Sequence, residues 1–428
     1  MAIVGAGYTG LWTAYYLKRA DPSLRVVVLE REIAGFGASG RNGGWVSGFF
    51  SGPARVYRRR SGRLGLASLQ RAMFETVNEV GSVLEREGID ADFIKGGQLS
   101  VALNEAQELR LSERVAAARE HGLGEQDLRL LEREELAGRV RLAGARSAAF
   151  SPHVARVHPA KLLSGLARAV EALGVRIHEH TPVREIRAHA ALTAAGTVRA
   201  RWVVRATEGY TADLRGLSRA LVPINSSMIV TEPLPATAWE EIGWAGRELL
   251  DDAAHVYVYL QRTEDGRIAI GGRGVPYRFG SRTDGRGETA QATVAGLREK
   301  LAAMFPAAGA VAVEHAWSGV LGVPRDWCAS VSADRASGLA WAGGYVGQGV
   351  AAANLAGRTL RDLVLGEPSD LAALPWVGHR PRRWEPEPLR WGAIRGVYSL
   401  YRRADRDEAR SGRPSRLGQL VDIVSGRR

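Results

Sequence analysis

Ile3-Val4-Gly5-Ala6-Gly7-Tyr8-Thr9-Gly10 sets a short apolar run against the pattern GAGYTG, and twenty residues beyond Gly10 a second run, Val26-Val27-Val28-Leu29, ends in Glu30. This is the spacing of a strand-turn-helix-strand unit that binds a dinucleotide. Each glycine removes a side chain where backbone, ligand or helix must come close. Glu30, followed by Arg31, is placed to accept from adenosine ribose hydroxyls. The plain alternative is a glycine-rich helix start with no ligand, and the pattern alone does not separate NAD from FAD. Only Met1 and Ala2 precede the first apolar pair, short for a central parallel strand, so a native start farther upstream is expected.

The 428 residues exceed one typical domain and predict two interleaved lobes. The single cysteine, Cys328, excludes an intramolecular disulfide framework and fits a reducing cytoplasm. Residues 1–17 are apolar enough to imitate a signal peptide but lack its basic start and carry the glycine motif. No uninterrupted apolar stretch is long enough to span a bilayer. The net charge is +12, of which residues 377–428 supply +7 through 13 Arg against 6 Asp plus Glu. Arginine outnumbers lysine 54 to 4 throughout, so coding bias accounts for the excess as well as a phosphate-binding surface would. The tail therefore reads as a solvated or self-docking basic segment.

Beyond the first unit, GFGASGRNGGWVSG at 35–48 is too rich in glycine for regular structure and reads as a loop that hugs something. Apolar periodicity predicts helices over 66–87 and 105–121, and His158-Pro159 opens another that runs to about 173. Strands follow at 175–178 and 198–206. From 221 to 316 the pattern changes to strands at 226–231, 255–260, 267–271 and 311–316, with one helix at 289–304. Strands without intervening helices indicate a mixed or antiparallel sheet. A strand at 339–342, the loop GGYVGQG at 343–349 and a helix to 365 then resume the first style.

At GASGRNGG (37–44) and AGGYVGQGV (342–350), taken with GAGYTG, His158-Pro159 and RATEGYT (205–211), the chain resembles the D-amino-acid oxidase/sarcosine oxidase family of FAD enzymes. The RNGG loop and GVPRDW (322–327) look most like its subgroup containing gamma-glutamylputrescine oxidoreductases. The resemblance covers roughly residues 1–365. It implies an α/β fold: a Rossmann-like FAD-binding lobe assembled from discontinuous segments (1–50, 151–215, 326–368), and a substrate lobe with a mixed or antiparallel sheet (51–150, 216–325). The basic tail occupies 369–428.

The resemblance further implies an extended FAD. Gly5, Gly7 and Gly10, with Tyr8 and Thr9, would approach the pyrophosphate at the helix N-terminus, where unpaired N–H groups favour anions. Glu30 and Arg31 would lie at the adenosine ribose, and Val183 would meet the adenine. Ser39, Gly40, Arg41, Asn42, Gly43 and Gly44 would wrap the pyrophosphate and reach the isoalloxazine, with Ala206 and Thr207 beside them. Gly344, Gly347, Gln348, Gly349 and Val350 would face the flavin's pyrimidine end. The implied reaction is hydride transfer from the carbon next to an amine nitrogen to flavin N5, giving an imine that water hydrolyses. Two departures stand out on alignment by eye: Ala269 and Ala351 occupy the places of the lysines that sarcosine oxidases use for oxygen and for a substrate carboxylate. They argue against sarcosine and leave the acceptor open between oxygen and another carrier. Cys328 lies near the region where some members attach flavin covalently, but its spacing is not a clean match, and a small buried apolar role favours non-covalent FAD.

Substrate-facing candidates are Trp45, Ser47, Tyr257, Tyr259, Arg273 and Gln348. The tyrosines, two apart on a strand, share one face and serve either the site or plain packing; Arg273 serves either the site or a surface ion pair. His158 reads as a helix-opening residue rather than a base, and no histidine or cysteine spacing marks a metal site. The primary reading is a cytoplasmic amine or amino-acid oxidoreductase. A flavin dehydrogenase feeding a membrane quinone, its amphipathic stretch 389–404 on anionic lipid, is the first alternative. The second is a nucleic-acid-binding flavoprotein or non-catalytic binder, disfavoured because no RRM, KH or zinc-finger signature occurs.

Overall fold

Ala2–Val4 forms the middle of a six-stranded sheet, with Val27–Leu29 and Val203–Arg205 parallel on either side of it. Arg176–His178 and Leu339–Gly343 extend the parallel set, and Ser330–Asp334 closes one edge antiparallel. The computed structural model describes residues 1–274, 276–283 and 285–426. Three residues suffice for the first strand because all are buried between hydrogen-bonded neighbours. The crossover helix Tyr8–Ala20 is buried from Tyr8 to Lys18, since a second helix, Gly349–Leu365, lies directly against it. The approach is close enough that a Cβ on Gly357 would sit 2.8 Å from the Trp12 carbonyl carbon. Gly366, at φ 79°, ends the second helix.

The second sheet has eight strands in the order Val313–Val323, Val222–Thr231, Ile268–Gly272, Tyr259–Arg262, Leu249–Asp252, Gln98–Ala102, Ser147–Ser151 and Arg129–Leu131. Only Leu249–Asp252 with Gln98–Ala102 is parallel, so the sheet is mixed. A kinked helical stretch, Ala54–Arg86, breaks at Ser61 and Gly62 and buries Leu69, Met73, Val77 and Val80 in the same core as the first sheet, although sequence places it with the substrate lobe.

Several sequence boundaries need correction. The strand expected at 198–206 is two strands: Thr197–Arg199 pairs in a small sheet with Ala190–Thr193, and the chain turns before joining the main sheet at Val203. The strand expected at 255–260 begins only at Tyr259, because Asp405 accepts from the backbone N–H groups of His255 and Val256 and holds them in a turn. Tyr257 is therefore not on the strand. Within the glycine-rich loop, Ala38–Arg41 makes one helical turn and Trp45–Ser47 pairs with Val154–Arg156. Asn42 stabilises that turn by donating to Ser39 O at 2.6 Å and accepting from Gly44 N at 2.8 Å. His158 opens the helix Pro159–Ala172, its Nδ1 accepting from Lys161 N.

The tail docks on the body. Its helix Leu389–Ser411 buries Arg390, Ile394, Tyr398, Tyr401, Ala404 and Glu408, and Trp384 before it donates to Val323 O. Glu408 accepts from both Arg110 (2.8 Å) and His255. Burial alone would raise this carboxyl, but the His255, Arg110 and Ser415 hydrogen bonds outweigh it and hold the pKa down to about 2. Such a depressed group stabilises docking fully above the ordinary carboxylate range, and the contribution is lost as pH falls towards 2. Glu408→Gln is expected to weaken docking by about 3 kcal/mol, as when one partner of a buried pair is removed. Limited trypsinolysis at neutral pH should then cut the arginine-rich tail markedly faster than in the native protein; equal rates would show that Glu408 does not hold the tail.

Candidate active site

A cleft opens at the carboxyl ends of Ala2–Val4, Val27–Leu29 and Val203–Arg205 and encloses about 1150 Å³ not filled by atoms. Its floor is the 5–10 turn. Gly5 has φ 105°, and a Cβ there would lie 2.5 Å from Ala206 O; one on Gly10 would lie 1.9 Å from Gly5 O. The helix Tyr8–Ala20 starts at Gly7 without a side-chain cap, and Gly349–Leu365 starts at Gln348 likewise uncapped. Both helix starts border the cleft, so N–H groups without intrahelical partners line it.

Glu30 lines the cleft with its carboxylate already engaged: Oε2 accepts from Ala6 N at 2.8 Å and Oε1 from Glu32 N at 3.0 Å. Arg31 pairs with Asp213 at 2.8 Å and lies over the Tyr210 ring. Ser39 accepts from Tyr8 N, and Val183, Ala206, Thr207, Gly347, Gly349 and Val350 complete the lining together with Gly5, Gly7, Thr9 and Asn42. Seven expected residues are not in the wall of this cleft; three of them, Arg41, Gly43 and Gln348, line an adjoining cavity. Gly10 packs on Gly5, Gly40 on Gly35, Gly44 on Val157 O, and Gly344 donates to Glu208 behind the second loop. Their glycines permit the turns that shape the cleft.

A second cavity, about 1340 Å³, adjoins the first; Ala38, Asn42, Leu321, Gly347 and Val350 wall both. Trp45, Arg41, Gly43, Tyr257, Tyr259, Arg273 and Gln348 line it. Tyr259 Oη lies 2.8 Å from Ser226 Oγ, and its ring sits over Gly43, where a Cβ would be 2.7 Å away. Arg41 Nη1, Trp45 Nε1 and Arg273 Nη1 are buried without hydrogen-bond partners among the described residues. Ser47 is not part of this wall: it is buried, and its Oγ accepts from Phe49 N in the turn that leaves the strand. Ala269 lines a third pocket, which shares Asn42 with the other two, and Ala351 is buried in its helix.

Sequence reasoning missed Glu208 and the far end of this cavity. The Glu208 carboxylate accepts from Gly344 N at 2.9 Å and Tyr345 N at 3.2 Å, so it pins the second glycine loop. Burial raises its pKa to about 7 against those backbone donors. Gln98, Arg114, Asp251 and Asp252 line the far end. Two adjacent carboxylates in Leu249-Leu250-Asp251-Asp252 were the available signal.

Cys328 lines neither cavity; it is wholly buried, and burial pushes its thiol up to about 12. It does form a compact group with Asp326 and His379, as do His255, Asp405 and Glu408, and each group is knit by its own hydrogen bonds. Among the described residues no helix is long and apolar enough to cross a membrane.

Residues 1–363 match the sequence profile of the family described as DAO, FAD-dependent oxidoreductase. The chain belongs to this family. The DAO-family enzyme is 31% identical over 386 residues to "Probable oxidoreductase OrdL" of Rhizobium meliloti, covering 87% of this chain and 85% of that protein. It is 29% identical over 391 residues to gamma-glutamylputrescine oxidoreductase of Escherichia coli, covering 89% and 87%. Among solved structures, glycine oxidase of Geobacillus kaustophilus superposes with a TM-score of 0.72 at 22% identity over 88% of this chain and 98% of that one, a likeness of fold. The cofactor of this enzyme is FAD. The uncapped helix starts and the glycine cradle fit an extended anionic dinucleotide.

Proposed function

We propose that the enzyme oxidises an amine or amino acid at the carbon bearing the nitrogen, with FAD held non-covalently in the cleft and the amine in the adjoining cavity. The continuity of the two spaces through Asn42, Gly347 and Val350 carries this reading. The names of the relatives, gamma-glutamylputrescine oxidoreductase and glycine oxidase, support the substrate class. When bound, FAD supplies acceptance of a hydride equivalent, leaving an imine that water hydrolyses.

The protein's share is position, field and dryness. Gly5, Gly7 and the N–H groups at the start of Tyr8–Ala20 hold the pyrophosphate, and Glu30 faces the ribose while bracing the turn. The backbone of Gly347, Gln348 and Gly349 presents donors and a helix start where negative charge develops. Trp45, Tyr257 and Tyr259 form an aromatic wall, with Trp45 and Tyr259 rings meeting edge-on at 6.2 Å, that keeps water from the reacting carbon. Arg273, buried with Nη1 unpartnered among the described residues, receives an anionic group of the substrate. The buried, high-pKa Cys328 thiol away from the cleft supports non-covalent FAD.

Incubating the FAD-loaded protein with gamma-glutamylputrescine, free polyamines, N-methyl amino acids and D-amino acids, and identifying products by mass spectrometry, tests the reading. A carbonyl product and released amine from one class support it; no product from any class, with oxygen or artificial acceptors present, contradicts it.

A second reading, delivery of electrons to a membrane quinone, draws on the tail's outward surface. Leu389, Leu400, Leu420 and Ile423 are 66%, 40%, 58% and 69% exposed among the tail's arginines. Co-sedimentation with anionic vesicles that is lost when these four are made serine would favour it; no co-sedimentation at low salt would remove it.

A further inference from the structure

Asp251 occupies an unusual position for a carboxylate. It lies deep in the substrate sheet, yet keeps part of its surface open onto the second cavity. Strand pairing places Met228, Gly271, Tyr259, Asp251 and Ser100 in one row across five adjacent strands, so their side chains share a face. Tyr259 marks the cofactor end of that row, because its ring covers Gly43 of the FAD loop. Asp251 stands one strand farther out, about 4.8 Å on.

Its oxygens are unevenly used. Gln98 Nε2 at 2.9 Å and Ser100 Oγ at 2.7 Å both donate to Oδ1, leaving Oδ2 without a side-chain donor among the described residues. No ion pair reaches Asp251 among the described residues: Arg114, whose charge partly offsets the burial, donates its Nη1 to Ser100 Oγ at 3.1 Å instead. A carboxyl this deep, not in direct ion-pair contact among the described residues, costs folding free energy, and burial raises its pKa against the opposing Arg114 charge and the Ser100 and Gln98 hydrogen bonds. A cation entering the cavity would remove that cost.

We propose that Asp251, presented by Gln98 and Ser100, binds a second, unreacted ammonium group of the substrate, so that the enzyme selects amines carrying two cationic nitrogens. This rests on the reading of the enzyme as an amine oxidoreductase. The unreacted nitrogen is assigned to Asp251 for two reasons. Asp251 lies away from the FAD loop along the row. A carboxylate beside the reacting nitrogen would hold it as an ammonium, whose lone pair is unavailable to support loss of hydride.

The test uses the FAD-loaded protein without oxygen and two readouts, calorimetric binding and flavin bleaching. The ligands are 1,4-diaminobutane, n-butylamine and N-acetyl-1,4-diaminobutane, which share a four-carbon chain and differ in whether the far end carries charge. The native protein is expected to bind the diamine about ten- to hundredfold more tightly than the other two, the worth of one charge-assisted hydrogen bond. In Asp251→Asn that ratio should fall towards one. The variant should also melt at the same temperature or higher, because it removes an unpaired buried charge; a purely structural Asp251 predicts a lower melting temperature. No diamine preference in the native protein, or an undiminished one in Asp251→Asn, overturns the proposal. Should the variant fail to fold, the comparison of diamine with its N-acetyl derivative on the native protein still decides whether a second-cation site exists. Diamine binding with no bleaching by any amine would sink the oxidation reading and leave the subsite; bleaching without diamine preference would do the reverse.

Discussion

Gly10→Ala is expected to leave a protein that no longer retains FAD through gel filtration. The added Cβ would lie 1.9 Å from Gly5 O and 3.2 Å from the Ile3 side chain. The first of these is a backbone atom in a turn fixed by Gly5 N donating to Leu29 O at 2.8 Å, so neither partner can move without displacing the cleft floor. Overpacking of this kind costs about 3 kcal/mol or more, roughly a hundredfold or greater loss of affinity. Titration of the apoprotein with FAD, followed by flavin fluorescence, measures it. Gly392→Ala is the matching control: a Cβ there meets nothing within 4 Å, and the position is inside an exposed helix face, so FAD binding should be unchanged. Native affinity in Gly10→Ala would mean that the 5–10 turn does not shape the cofactor site.

Arg273→Met is expected to lower kcat/KM for a substrate bearing a carboxylate by roughly 10²–10³-fold, the penalty of about 3–4 kcal/mol for leaving a desolvated anion without its partner. Arg273 follows the strand Ile268–Gly272, is held among Tyr257, Tyr259 and Tyr398, and has no acceptor on Nη1 among the described residues. Methionine preserves much of the packed stem while deleting the charge. The loss should be much smaller for amines without an anionic group. Equal losses for both would assign Arg273 to packing or to the cofactor's field instead.

The parts of this fold that were legible in sequence are those where local chemistry has one solution. Gly5, Gly7 and Gly10 followed by Glu30 forced a strand-turn-helix-strand unit, and 343–349 announced a second cradle before a helix. Strands at 226–231, 255–260 and 267–271 without a helix between them were enough for a mixed or antiparallel sheet. What escaped depended on distant partners. Tyr257 read as strand because nothing local reveals Asp405, 148 residues away from it in sequence, capturing His255 N and Val256 N. Ser47 read as a site residue from its nearness to the flavin loop, but side chains just past a loop follow the turn that comes next, here through Phe49 N. Glu208 looked like one acidic residue in a turn; its work on Gly344 and Tyr345 requires the fold to bring positions 208 and 344 together. Asp251 was visible as a charge in an apolar run, whereas the cavity beside it belongs to five strands and cannot be read from one.

The central claim, that the cleft's FAD oxidises an amine seated in the adjoining cavity, is tested most directly by mixing the purified FAD-loaded protein with amines in the absence of oxygen and following the visible flavin absorption. One class of amine should bleach the band rapidly, and Arg273→Met should slow bleaching by its carboxylate-bearing members. A protein that holds FAD but is bleached by no amine would contradict it.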